Sequence, residues 1–399
     1  MDWCVVILTI GILVISGISW FQFSKRAMEL IKEKNSIGDN EVCRLARTDF
    51  TITALAKEYD GNKESEDVQN EIMEQDSRKS IIEHIDYIVD LIDGNWNVAV
   101  ENKQISGIDS YITYRLLGQI SSAQVLKGED GWLFYKSTSD GDSISDYEGT
   151  NIYTQEEYQS ISEQIQRVNE YLSRKQISFM IVLCPNKENV YYDKMPKSYY
   201  HSLKSRTDDL AEFLTDQKLP VLNLKEKLIS SKEIGQLYYK TDTHWNEIGA
   251  YIGVQNLLEE WDMSSVSIHN RMIIENRNKY VGDLSLMVDL GDYIFDESTY
   301  SIQSNQITSL NTKQTYSQYT NEKANCNKTL LLVGDSFRNA MIPAVTEQFS
   351  TVYVVHRNDY QPDLLEQFQP DYVIIEYVER YSSNLLDIEQ MVMYQDLLE

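Results

Sequence analysis

Proline is scarce in this chain, with 6 residues in 399, glycine is modest at 17, and no Gly-X-Y period occurs, which excludes collagen-like and low-complexity classes. Cysteine is scarce too. Cys4, Cys43, Cys184 and Cys326 form no C-x-x-C pair and no Cys/His ligand spacing, which argues against a zinc ribbon or a dithiol redox motif. With Cys4 in an apolar leader, three thiols remain, and one disulfide among them stays open. Basic charge is short as well: 36 Lys and Arg stand against 62 Asp and Glu, a formal charge of −26. No basic stripe is present to replace the counterions of a polyanion, so no nucleic-acid partner is expected. What is present is ordinary globular composition, 42% hydrophobic and 25% charged, over two or three domain lengths. The 27 Tyr and 6 Trp could supply sugar-stacking platforms, although for any single one a place in the core or on the surface is the plainer reading.

Residues 3–23 carry no charge and are long enough to cross a bilayer as a helix, with Trp3 and Trp20 placed for the two interfaces. A helix apolar on every face at the start of a chain fits a membrane span better than a buried core helix. A cleaved signal peptide is the rival, but no basic segment precedes the run and no small-residue cleavage site follows it. Lys25 and Arg26 come after the span, and by the charge rule they would keep the downstream chain in the cytoplasm. Long domains can nevertheless translocate despite local charge.

Residues 24–119 read as a helical or partly disordered stalk. Stretch 62–80 is polar, and Ile81, Ile85, Ile88, Val89 and Ile92 then fall at helical spacing. From about residue 120 strands alternate with helices. Thr154 and Glu157 make a capping box for a helix whose apolar stripe is Ile161, Ile165, Val168 and Leu172. Short apolar runs at 178–183, 220–224, 329–333, 352–355 and 372–375 read as strands, with further helices over about 202–217 and from near Asn246. This rhythm predicts βαβ units, a mostly parallel sheet and helices on both faces. Residues 263–328 lack the rhythm and read as an irregular insertion of loops and short strands.

Two tracts carry candidate chemistry. Gly334-Asp335-Ser336-Phe337 follows a buried strand and opens a helix. Ser336 therefore lands at the C-terminal edge of the sheet, where ligands bind in open α/β sheets, near a positive helix end. Alone, such a tract is more readily a capped strand-to-helix turn. Asp242-Thr243-His244-Trp245 precedes another helix. In an extended segment Asp242 and His244 share a side, without any need to touch. A serine nucleophile needs a base, and the base needs an acceptor to fix its tautomer; Ser336, His244 and Asp242 supply these roles. A metal reading of Asp-x-His is the minor alternative, since no further ligand stands at metal spacing. Neither metal nor cofactor is expected. Their separation of 92 residues is no obstacle, because triads assemble in space.

An ordered set of short motifs then gives a resemblance: Lys127-Gly128-Glu129-Asp130-Gly131-Trp132-Leu133-Phe134, Pro185-Asn186-Lys187, Asp242-Thr243-His244-Trp245, Gly282-Asp283-Leu284, Gly334-Asp335-Ser336-Phe337, Pro370-Asp371-Tyr372 and Glu379-Arg380. Over about residues 120–385 the chain resembles the SGNH-hydrolase-like family of the alginate O-acetylation proteins, especially its Gram-positive relatives with a DHHW signature. The resemblance implies a flavodoxin-like SGNH-hydrolase α/β sandwich over residues 120–399. It also implies a Ser-His-Asp triad in which Asp-x-His precedes the serine, and extracytoplasmic O-acetylation of a polysaccharide. The acetyl donor would come through a membrane acyltransferase, and the chain would sit on the cell membrane through a single N-terminal anchor, residues 1–23.

The sequence departs from the family pattern in places. It reads DTHW where the signature has a second His, no carbohydrate-binding module is recognisable, and the usual glycine and asparagine oxyanion blocks have no clear counterpart. The backbone N–H of Ser336 is the foremost oxyanion donor, with Gly282 and Asn339 as further candidates. Lys187, Arg338 and Arg380 read as structural ion-pair residues. An acetyl-esterase with the same triad, and a non-catalytic glycan-binding or scaffold subunit, remain as alternatives. The acidic surface suits a neutral or amino-sugar polymer better than a polyuronate.

Overall fold

The computed structural model of the chain describes residues 110, 114, 120, 122–277, 280–291, 297–303 and 309–393. The apolar segment 3–23 lies outside the described residues, as does the stalk apart from residues 110 and 114. Among the described residues no helix is long and apolar enough to cross a membrane.

Two short strands, β1 (Val125–Lys127) and β2 (Leu133–Tyr135), pair antiparallel. They are followed by β3 (Ser178–Cys184) and β4 (Val221–Asn223), which run parallel. β5 (Ile273–Asn276) and β6 (Thr299–Ile302) form a separate antiparallel ribbon. β7 (Ser309–Thr312), β8 (Tyr316–Thr320), β9 (Cys326–Gly334), β10 (Phe349–His356) and β11 (Tyr372–Val378) follow. The central sheet has seven strands in the order β4-β3-β11-β9-β10-β8-β7. Its first five strands are mutually parallel, and β8 and β7 extend it antiparallel. Among the described residues, the segment 263–328 holds the short strands β5 to β8, and β8 and β7 complete the edge of the main sheet.

Four longer helices cover the sheet. α1 (Gln155–Arg174) starts at the Thr154–Glu157 capping box and buries Ile161, Ile165, Val168 and Leu172. Together with α2 (Arg206–Asp216) it packs on the face that carries Ile181, Leu331, Val333 and Ile375. α3 (Glu247–Glu260) and α4 (Arg338–Gln348) cover the other face, against Val182, Leu332 and Ile374. Each fully buried Leu, Ile or Val contributes about 1.5–3 kcal/mol. The two faces explain why the parallel strands are apolar throughout rather than alternating. Cys184 is buried and Cys326 half-buried, both as free thiols.

All five parallel strands deliver their C-terminal ends to one edge. The tracts after β3, β9 and β11 therefore meet there, together with the connection that runs from β4 toward α3.

Candidate active site

β9 ends at Gly334, which lies opposite Glu376 of β11. A Cβ at Gly334 would run into the Glu376 side chain, so glycine lets the two strands approach at the turn. The buried Asp335 carboxylate then holds the turn from both sides. Its Oδ1 accepts from Phe337 N at 2.9 Å and its Oδ2 from Val378 N at 2.8 Å. Ser336 sits just ahead of α4, with its side chain directed at the His244 ring.

Asp242 and His244 do touch. The chain bends instead of running extended, so that Asp242 Oδ1 accepts from His244 N at 2.9 Å and lies 2.6 Å from His244 Nδ1. On the far side of the ring, His244 Nε2 is 2.6 Å from Ser336 Oγ. These contacts assign the proton to Nδ1 and leave Nε2 to accept from the serine hydroxyl. Phe337 lies 5.2 Å from the imidazole between ring centres and walls the inner side of the site. The His244 side chain keeps 30% of its surface, so a substrate can reach it, while Asp242 is buried.

Four side chains hold the Thr241–His244 bend. Lys187 places its buried Nζ on the carbonyls of Tyr239 (3.2 Å), Lys240 (3.1 Å) and Asp242 (2.7 Å). It is a carbonyl cap, not the ion-pair residue expected, and burial lowers its pKa to about 8. Glu297 accepts from Lys240 N, from Thr241 N at 2.7 Å and from Thr241 Oγ1 at 2.5 Å. Asp283 accepts from Thr243 N at 2.7 Å and Thr243 Oγ1 at 2.5 Å. Tyr280 donates its hydroxyl to Asp242 Oδ2 at 2.9 Å, beside the Asp283 amide at 3.0 Å. Burial pushes the Asp242 carboxyl up, but the hydrogen bonds and charge of His244 and the Asp283 amide outweigh it, holding the group below the usual carboxylate range.

A family model of the SGNH hydrolase-like domain of the acetyltransferase AlgX matches residues 125–342, a span that includes Asp242, His244 and Ser336. The chain belongs to this family. Among solved structures, PatB1 of Bacillus cereus with a sulfonyl adduct is similar at 16% identity and a TM-score of 0.50, over 67% of this chain and 98% of that one. A DHHW family protein from Eubacterium siraeum is 14% identical over 68% of this chain and all of that one, with a TM-score of 0.47. The O-acetyltransferase domain of Pseudomonas putida AlgJ is 17% identical over 69% of this chain and 94% of that one, with a TM-score of 0.43. No curated protein sequence matches the chain.

Within this AlgX-type domain the three oxyanion candidates fall in different places. The Ser336 amide precedes α4 and donates to none of the described residues. The Asn339 amide donates to Ser336 O at 3.2 Å, and its side chain is exposed. Gly282 packs on the Thr241–Asp242 backbone, at the carboxylate end of the triad and not at the hydroxyl. Asp283 brings a second carboxylate to the triad that spacing alone did not reveal, its oxygen and the nearest Asp242 and His244 side-chain atoms lying within 4.8 Å of one another. Each of these groups is already engaged by the hydrogen bonds above, as a triad and its supports require. Arg338 donates to the carbonyls of Gly334 and Asp335, and Arg380 lies over the rings of Phe337 (5.7 Å), Tyr135 (5.8 Å) and Tyr381 (5.0 Å). Both arginines brace the turn through carbonyls and rings, where carboxylate partners were expected.

Proposed function

We propose that the chain is a membrane-anchored, extracytoplasmic O-acetyltransferase that moves an acetyl group to a cell-surface or exported polysaccharide through an acetyl-serine. The observation that carries this reading is the pair of 2.6 Å contacts that join Asp242, His244 and Ser336 in line. Family membership supports acetyl transfer as the class of reaction.

His244 Nε2 takes the Ser336 proton as Oγ bonds to the acetyl carbonyl carbon. The carbonyl π electrons move to oxygen, and the Ser336 N–H and the positive end of α4 stabilise the oxyanion. Collapse of this intermediate breaks the bond to the donor's leaving group, which receives the proton from His244. A sugar hydroxyl then gives its proton to His244, attacks the acetyl-serine and releases Ser336 with the proton returned to Oγ. Asp242 stabilises the imidazolium at both stages. No cofactor enters these steps. The acetyl donor is supplied by a membrane acyltransferase partner, and the uncharged segment 3–23 supplies the anchor.

The test incubates the full chain with a chromogenic acetyl ester, alone and with cell-surface oligosaccharides, and follows acetyl groups on protein and glycan by mass spectrometry. Glycan acetylation that disappears in Ser336→Ala is the expected result, with a loss of about 10⁴-fold or more. Ser336-dependent acetate release that no glycan intercepts would make the protein an esterase, and wild-type turnover in Ser336→Ala would end the triad reading.

A further inference from the structure

The Asp242 carboxylate has two ends, and the triad uses only one. Oδ1 serves His244, while Oδ2 faces the segment after β5 and accepts from the Tyr280 hydroxyl (2.9 Å) and the Asp283 amide (3.0 Å). The amide comes with the backbone, but the hydroxyl is a choice of side chain. Tyr280 is held for the task, since its ring stacks on Tyr239 at 4.6 Å between centres and 26° between planes. Tyr239 in turn donates its N–H to the His244 carbonyl at 3.2 Å. Burial, and then the neighbouring Asp242 charge, push the Tyr280 phenol up, so it remains a donor throughout the working range.

We propose that Tyr280 is a positioning residue of the triad: its hydroxyl orients Asp242 through Oδ2 and draws off part of the carboxylate charge that would otherwise act on His244. The proposal deepens the acetyl-transfer reading and rests on it for its kinetic consequence. The charged and titratable groups that face this carboxylate are His244, Asp283, Lys187 and Tyr239, with Glu297 behind the bend. In Tyr280→Phe all of these stay, as does the ring stack, and only the hydroxyl is lost. Oδ2 then keeps one donor, so the carboxylate charge falls more heavily on the imidazolium. His244 holds its proton to higher pH, and the acid limb of the rate profile moves up. The freed carboxylate also rotates more readily, which lowers kcat and leaves KM in place.

The experiment compares the full-length wild type and Tyr280→Phe in two ways. The first is kcat and KM with a chromogenic acetyl ester across the acid limb. The second is titration of the His244 ring followed by nitrogen NMR, with His244→Asn to assign the signal. The expected result is roughly a three- to tenfold fall in kcat, less than the loss of a whole hydrogen bond to a charged group because Oδ2 keeps the Asp283 amide, with the acid limb and the ring titration both shifted upward. The NMR titration needs no turnover, so it reports on Tyr280 even if acetyl transfer itself is disproved. A ring titration unchanged in Tyr280→Phe would overturn the proposal, as would a fall in kcat that merely follows a fall in melting temperature.

Discussion

Trp245 Nε1 donates to the Phe337 carbonyl at 2.8 Å, which ties the residue after the base to the residue after the nucleophile. Both rings are buried and lie 5.5 Å apart. The His244–Ser336 distance is therefore set by a contact behind the site as well as by the one within it. Trp245→Phe keeps most of the volume but leaves the buried carbonyl without its donor. Urea unfolding should show a loss of about 1–3 kcal/mol, and kcat should fall by about tenfold from the looser spacing. Unchanged kcat in a clearly destabilised variant would show that the tie serves the fold alone.

Lys187 predicts an alkaline limb. Its ammonium has three protons for three carbonyls, and with a pKa near 8 it loses one of them as pH rises through that value. Glu188, Glu297, Asp242 and Asp283 face it and favour the charged form, while burial opposes it. Activity should decline above about pH 8. Lys187→Met should lose activity at every pH and lose the limb with it, and a rate profile that stays level through pH 9 would remove Lys187 from this role.

Glu376 lies fully buried in β11, and burial, then the Asp335 charge, raise its pKa well above 4.5. The folded state thus keeps a proton that the unfolded chain releases. Its contribution to stability is whole below the unfolded value and is lost as pH rises toward the folded one. Glu376→Gln should match the wild type in denaturant near pH 4.5 and exceed it by about 1–3 kcal/mol at pH 8. A difference that does not widen with pH would mean that the carboxylate is ionised in the fold.

Gly282→Ala tests the backing of the triad's acid. A Cβ there meets the backbone of Thr241 and Asp242, which cannot move without carrying Asp242 along. Turnover should fall by roughly 10²-fold, the scale of a misplaced catalytic group, with the circular dichroism of the fold retained. Near-normal turnover would show that the bend tolerates displacement.

Much of the sheet is legible in the sequence because its signals are local. The Thr154–Glu157 box and the Ile161–Leu172 stripe lie within a few residues of one another, and α1 forms over them. The approach of Ser336 to Asp242 and His244 is legible for a different reason, since each stands at a turn where a strand or a helix meets the ligand edge. The supports of the bend are not legible. Tyr280 and Glu297 act through hydrogen bonds to distant groups, 38 and 56 residues away in the case of Asp242 and Thr241, from a segment with no hydrophobic period. Lys187 looks like an ion-pair residue until the fold brings three carbonyls to it. Glu376 interrupts the apolar run of β11, and nothing in its neighbours shows that Gly334 leaves it room.

The position of β11 has a consequence for how the chain reaches this state. β3 and β9 are separated in space by a strand that comes after both of them in the chain. During synthesis, β3 must wait for residues 372–378 before its inner edge is closed. Until then two buried-type, apolar strands present open edges of the kind that recruit foreign strands. Assembly is therefore governed by a long-range pairing made late, a topology that folds slowly and depends on protection from aggregation meanwhile.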